Sequence, residues 1–146
     1  MSRGFLTNAR CAFGLLLSLG GAHSAFAQSP DGATFDVVIP AGANFDKAAF
    51  RLWLPSGVRD IQGIVVLTPG SNGDGRDAVQ DTVWRQFAVR HRLALVASQL
   101  TDKPHDQGFI EHYVEVSKGS GRAFLDGLSG LAWRAMVTEQ PFQPPR

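Results

Sequence analysis

Residues Val65 to Asp77 read V-V-L-T-P-G-S-N-G-D-G-R-D. The apolar, β-branched run Ile64 to Leu67 breaks at Thr68-Pro69 into a glycine-rich turn, and a continuous run of that kind predicts a strand covered on both faces. Beyond the turn, Val79, Val83, Trp84, Phe87, Ala88 and His91 recur at helical spacing across Ala78 to Arg92, with Asp77 available as the N-cap. Leu93 to Ala97, L-A-L-V-A, is another short strand of the buried type. Strand, turn, helix and strand in that order predict a β-helix-β unit with parallel strands, and hence an α/β sheet.

Upstream, Thr34 to Ile39 and Ala49 to Leu54 carry β-branched and aromatic residues, and Pro40-Ala41-Gly42 and Pro55-Ser56-Gly57 close them. They predict an antiparallel hairpin, the second strand alternating Phe50, Leu52 and Leu54 against Arg51 and Trp53. Downstream, Thr101 to Gln107 reads as a polar loop. From Tyr113 to Trp133 the pattern turns helical, with Val116, Phe124, Leu128, Leu131 and Ala132 roughly on one side and several glycines weakening it. Residues 134–146 end in Q-P-F-Q-P-P-R and predict an irregular, disordered tail.

The first residues have the three parts of a secretory leader. Arg3 and Arg10 are positive, Phe13 to Leu19 is apolar, and Ala25-Phe26-Ala27 is a small-x-small cleavage site. The apolar run falls well short of the ~20 residues of a spanning helix. Residues 1–27 are therefore expected to be removed after Ala27, leaving a secreted or periplasmic chain with no membrane span. Cys11 is the only cysteine and leaves with the leader, so the mature chain can form no internal disulfide. The same cleavage removes two arginines and no acidic residue, taking the formal charge from +1 to −1. That balance gives no electrostatic footprint for nucleic acid.

Three chemistries compete for the turn. Gly70-Ser71-Asn72-Gly73-Asp74-Gly75 has the glycine spacing of a phosphate-binding loop between a strand and a helix, but that motif continues with Lys and then Ser or Thr. Here Arg76 and Asp77 follow. Asn72, Asp74 and Asp77 resemble a calcium loop in composition; counted from Asn72, however, the sixth position is Asp77 instead of glycine and the twelfth is Val83 instead of glutamate. The third chemistry needs no side-chain ligand: a loop amide can face a carbonyl oxygen that becomes negative during acyl transfer. An ordinary tight turn also fits these residues.

Taken together, the hairpin strands, V-V-L-T-P-G-S-N-G-D-G-R-D, the helix after it and L-A-L-V-A-S resemble the N-terminal part of a secreted α/β-hydrolase, closest to the esterase and polyester-depolymerase-like members. The resemblance spans Phe35 to Trp133 and implies an incomplete α/β-hydrolase-like sheet over residues 28–133. In that fold one oxyanion donor comes from the loop after the third strand. This implies the amide of Ser71 as first choice and that of Asn72 as second, with Gly70 and Gly73 shaping the turn. The implied substrate is a small-molecule or polymeric carboxylic ester, and no cofactor or metal is implied.

The rest of the catalytic set is missing. The fold needs a nucleophile in G-x-S-x-G at a strand-to-helix elbow, then an acid and a histidine. Gly127-Leu128-Ser129-Gly130-Leu131 is the nearest approach and lies inside a helical pattern; Ser120 in K-G-S-G-R fits less well. His91, His105 and His112 all precede Ser129. His105-Asp106 and Glu111-His112 lack metal-motif spacing and read as solvated loop. Trp84 and Phe87 read as helix-face packing. The expectation is thus a truncated or frameshifted hydrolase product, inactive alone and poorly soluble because its sheet keeps an unpaired edge. The alternative is a small extracytoplasmic binding module with Trp53 or Trp133 as contacts. Substrate and oligomeric state are not legible.

Overall fold

The computed structural model describes residues 29–108 and 110–139. Residues 1–28, which include the expected leader, Phe109 and residues 140–146 lie outside them. Among the described residues four strands form one mixed sheet: β1 (Gly32–Ile39), β2 (Lys47–Pro55), β3 (Gly63–Leu67) and β4 (Leu93–Thr101), in spatial order β1-β2-β4-β3. β2 runs antiparallel to both its neighbours, whereas β3 and β4 are parallel. Helix α1 (Thr82–His91) connects β3 to β4, and α2 (Ser120–Glu139) follows β4. The chain is of the α/β class, and the hairpin and the parallel β-helix-β unit are both present.

Each face of the sheet buries its own cluster. On one side Phe35, Val37, Phe50, Leu52 and Val96 pack under α2 through Ala123, Leu131 and Ala135. Gly127 is what lets α2 approach: a β-carbon there would lie 2.3 Å from Phe50 Cδ2. The glycines that weaken the helical pattern in sequence are therefore part of its packing surface. On the other side Trp53, Leu95, Ala97, Val79 and Ala88 meet α1. Trp53 is 0% exposed, which removes it as a contact residue of a binding module. The alternation in β2 separates two buried faces instead of an inside from an outside, as expected when helices cover both sides.

The strand at Ile64 to Leu67 departs from expectation in the opposite sense. Val65 and Leu67 pack toward α1, but Ile64 and Val66 are 49% and 40% exposed. Among the described residues β3 pairs only with β4, and α2 lies over β1 and β2. An open apolar groove of about 180 Å³ results, lined by Leu52, Ile64, Val96, Leu128 and Ala132 among others.

Both helices begin later than their patterns suggest. A 3-10 turn, Arg76–Gln80, precedes α1, and the N-cap is Asp81 instead of Asp77. Asp81 Oδ1 accepts the amides of Val83 (2.8 Å) and Trp84 (3.1 Å). Between β4 and α2 lie two further 3-10 turns, His112–Val114 and Val116–Lys118. At its other end α2 continues to Glu139, so the irregular segment expected from residue 134 is helical through 139. Ala135, 8% exposed, anchors this last part to the core.

Candidate functional site

The turn after β3 and the loop after β4 both leave the carboxyl ends of parallel strands, the side of an open α/β sheet where ligands bind. Gly73 N–H donates to Gly70 O (3.0 Å), so Ser71 and Asn72 are the central residues of a β-turn. Asn72 adopts φ 54°, the left-handed region that a type II turn demands at its third residue and that asparagine tolerates. The turn then folds back on β4: Gly75 N–H donates to Ser98 O (3.0 Å), and Asp74 bridges to Gln99.

Asn72 is held from three directions. Its amide donates to Tyr113 Oη (3.3 Å), its Oδ1 accepts from Asp102 N–H (2.7 Å), and its Nδ2 lies 3.4 Å from Ser71 Oγ. Tyr113 N–H in turn donates to Asp102 Oδ1 (3.0 Å), closing a ring of Asn72, Asp102 and Tyr113. Asp102 Oδ2 also meets His105 Nε2 at 3.2 Å. Burial pushes the Asp102 carboxyl up, and this is the largest single influence; the Tyr113 amide, the His105 imidazole and the His112 amide together outweigh it, leaving the carboxyl below its ordinary value. The Ser71 amide, by contrast, makes no hydrogen bond among the described residues. Of the two implied donors, Ser71 is open and Asn72 is engaged.

The loop behind this ring is fixed to the core by Asn44, a buried residue of the loop that joins β1 to β2. Its Nδ2 donates to His112 O (2.9 Å) and Glu115 O (3.0 Å), and its Oδ1 accepts from Ser120 N–H (3.0 Å). Ser120 Oγ donates to Tyr113 O (2.6 Å). Ser120 is thus a buried structural residue at the start of α2, 2% exposed.

The charges beside the turn neutralise one another. Arg76 forms a two-pronged pair with Asp74 at 2.9 and 2.6 Å, and its guanidinium holds the Asp74 carboxyl at about 2. Arg51 grips Asp36 at 2.9 and 3.1 Å and reaches Asp77 at 2.7 Å. Arg76 is committed to a carboxylate instead of facing the turn, which weakens a phosphate cradle. Asp74 and Asp77 each face a guanidinium, which weakens a calcium loop. Among the described residues no group of three or more His, Cys, Asp or Glu side chains is placed to hold a metal ion.

The remaining candidates are scattered. Ser129 lies mid-helix on the exposed side of α2, and its Oγ donates back to Leu125 O (3.0 Å), the usual bond of a helix-surface serine. His105 and His112 stack with ring centroids 4.4 Å apart, and His112 Nε2 meets Gln107 Oε1 at 2.9 Å. His91 is on α1, its ring 4.5 Å from Phe87. Trp84 is 41% exposed and meets Phe87 edge-on, so these aromatics pack along the outer side of α1 instead of in the core. Tyr113 and Asp102 are the site residues that the sequence does not single out. Their partners in the ring are 41 and 30 residues away in the chain, and no short motif carries such contacts. No protein-family model matches this chain, and no curated protein sequence matches it.

Proposed function

We propose that this chain supplies the scaffold and one oxyanion donor of an exported serine ester hydrolase of the α/β-hydrolase type, acting on carboxylic esters. The observation that carries this is the Ser71 amide, open at the carboxyl end of β3 in a turn whose neighbouring residue is held by three partners. An antiparallel hairpin leading into a parallel β-helix-β unit, with this turn after the third strand, supports the same reading. An amide there costs no reorganisation when a carbonyl oxygen becomes negative. Neither of the two serines in a glycine-flanked setting serves as its nucleophile: Ser129 is bonded back to its own helix and Ser120 is buried. On this reading the chain alone is expected to be inactive.

The test is incubation of the full chain with a fluorophosphonate, read by intact mass, alongside an assay of p-nitrophenyl butyrate hydrolysis. Neither adduct nor turnover is expected. A stoichiometric adduct on Ser71, Ser120 or Ser129 would show that the chain carries its own nucleophile and overturn the assignment. The second reading, a small extracytoplasmic binding module, draws on Trp133, Met136 and Val137, which are 66%, 60% and 51% exposed along α2.

A further inference from the structure

We propose that the free edge of β1, with the last turns of α2 standing beside it, is a docking surface for an extended acidic peptide, which adds to the sheet as a further strand. β1 is the outer strand opposite β3, so this surface is independent of the ester-hydrolase reading. The backbone groups it offers follow from its register with β2. Ser56 N–H donates to Asp31 O (3.0 Å), one step beyond the pair of Gly32 with Pro55, and hydrogen-bonded pairs alternate along an antiparallel ladder. Ala33, Phe35 and Val37 therefore bond to β2, whereas the N–H and C=O groups of Gly32, Thr34, Asp36 and Val38 point outward. Among the described residues no strand pairs with them. A row of such groups is a template for another chain.

Side chains make this edge selective. Thr34 and Asp36 lie opposite Trp53 and Arg51, so their side chains turn toward the α1 face, and Phe35 between them turns under α2. On the α2 side a groove of about 480 Å³ separates Thr34, Phe35 and Asp36 from Trp133, Arg134 and Val137 of the helix. Trp133 and Val137 are largely exposed. Arg134 has no carboxylate partner among the described residues, whereas Arg51 and Arg76 are both committed to one. Alternate side chains of an added strand share one face. Those on the α2 side meet an indole, a valine and a free guanidinium, which apolar groups flanked by an acid complement. Peptides that add to a sheet edge draw affinity from main-chain bonds and specificity from such side-chain pockets. β1 offers eight residues to a partner of this kind, against five for β3.

The experiment titrates the full chain, isotopically labelled for NMR, with the end-capped peptide Glu-Thr-Val-Thr-Val-Thr-Glu, whose order reads the same in both directions and so suits either strand orientation. On saturation the amides of Thr34 and Asp36 are expected to become protected from hydrogen exchange, those of Ala33 and Phe35 being protected beforehand by β2. The Trp133 indole signal is expected to shift with the same affinity. Thr34→Pro removes an outward donor that β2 does not use, at an edge position where proline is tolerated, and is expected to abolish binding. Arg134→Gln is expected to weaken binding about two- to fivefold, the worth of an exposed ion pair, and to leave a peptide with glutamine in place of glutamate unaffected. If the Trp133 indole responds while Thr34 and Asp36 stay unprotected, the peptide lies on the helix and strand addition is refuted. If the two amides become protected as chain concentration rises without peptide, a second copy takes the edge and the peptide assignment falls. Silence of all three signals, or undiminished binding by a folded Thr34→Pro chain, also overturns the proposal. The amides of the parent chain decide the matter even if that variant folds poorly.

Discussion

Replacing Gly127 with alanine tests how α2 is seated on the sheet. The new β-carbon would lie 2.3 Å from Phe50 Cδ2, 2.7 Å from Cε2 and 3.0 Å from Cγ. Carbon atoms pack at about 3.5–4.0 Å, so ring and helix must separate by roughly 1 Å or more. Phe50 has little room to yield: it is 0% exposed, and its ring meets Phe124 edge-on at 5.7 Å. Alanine gains about 1 kcal/mol over glycine in a helix interior. Overpacking a core costs about 1–3 kcal/mol, and a contact this short belongs at the upper end of that range, so the net expectation is a loss of about 1–2 kcal/mol. Gly130→Ala is the matched control, because its β-carbon would lie 3.2 Å from Val37 Cγ1 and needs only a small adjustment. Its helix-propensity gain should prevail, leaving it neutral or up to about 1 kcal/mol more stable. Urea unfolding followed by far-ultraviolet circular dichroism compares the two. Finding Gly127→Ala as stable as Gly130→Ala would refute the close seating of α2 on Phe50.

Acid should weaken the fold through the charges beside the turn. Arg76 lowers the Asp74 carboxyl from 3.8 to about 2, so the unfolded chain binds that proton more readily, and the stabilisation present above 3.8 is lost as pH falls through about 2. The Asp74 side chain is 41% exposed, and solvent screening limits the contribution to about 1 kcal/mol or less. Asp102 is shifted in the same direction and adds to the slope. Urea midpoints measured stepwise through this acid range should fall less steeply for Asp74→Asn; an unchanged slope would count against the pair. Val66→Lys addresses the open edge, since a lysine on an edge strand opposes edge-to-edge pairing. Sedimentation velocity should show less self-association for the variant than for the parent at equal concentration, and equal association would place the contact elsewhere.

The parts of the fold legible in sequence are those that local chemistry specifies. Ile64 to Leu67 and Leu93 to Ala97 are strands because short β-branched and apolar runs have no better conformation, and the glycines between them force a turn. What lies on the far side of an element is not local. The 0% exposure of Trp53 depends on α1 covering its face, and the partial exposure of Ile64 and Val66 depends on α2 lying elsewhere. Asp77 and Asp81 are equally good caps by residue type; Arg51 draws Asp77 into an ion pair and leaves Asp81 to cap the helix. The site divides in the same way. Ser71 and Asn72 are legible as turn residues, but the ring that engages Asn72 and leaves Ser71 open depends on Asp102 and Tyr113, which reach it only after β4 has been laid beside β3.

The open strand and the open amide are neighbours, and the hydrolase reading explains both at once. β3 presents its unpaired edge and the side chains of Ile64 and Val66, and its carboxyl end runs directly into the turn that carries Ser71. A strand laid parallel on that edge would pair its free backbone groups, widen the sheet floor of the apolar groove, and bring its own carboxyl end beside the Ser71 amide. An α/β-hydrolase places its nucleophile at such a strand-to-helix elbow, with the oxyanion donors close by. The Ser71 amide and the edge of β3 should therefore respond together to whatever pairs with that strand.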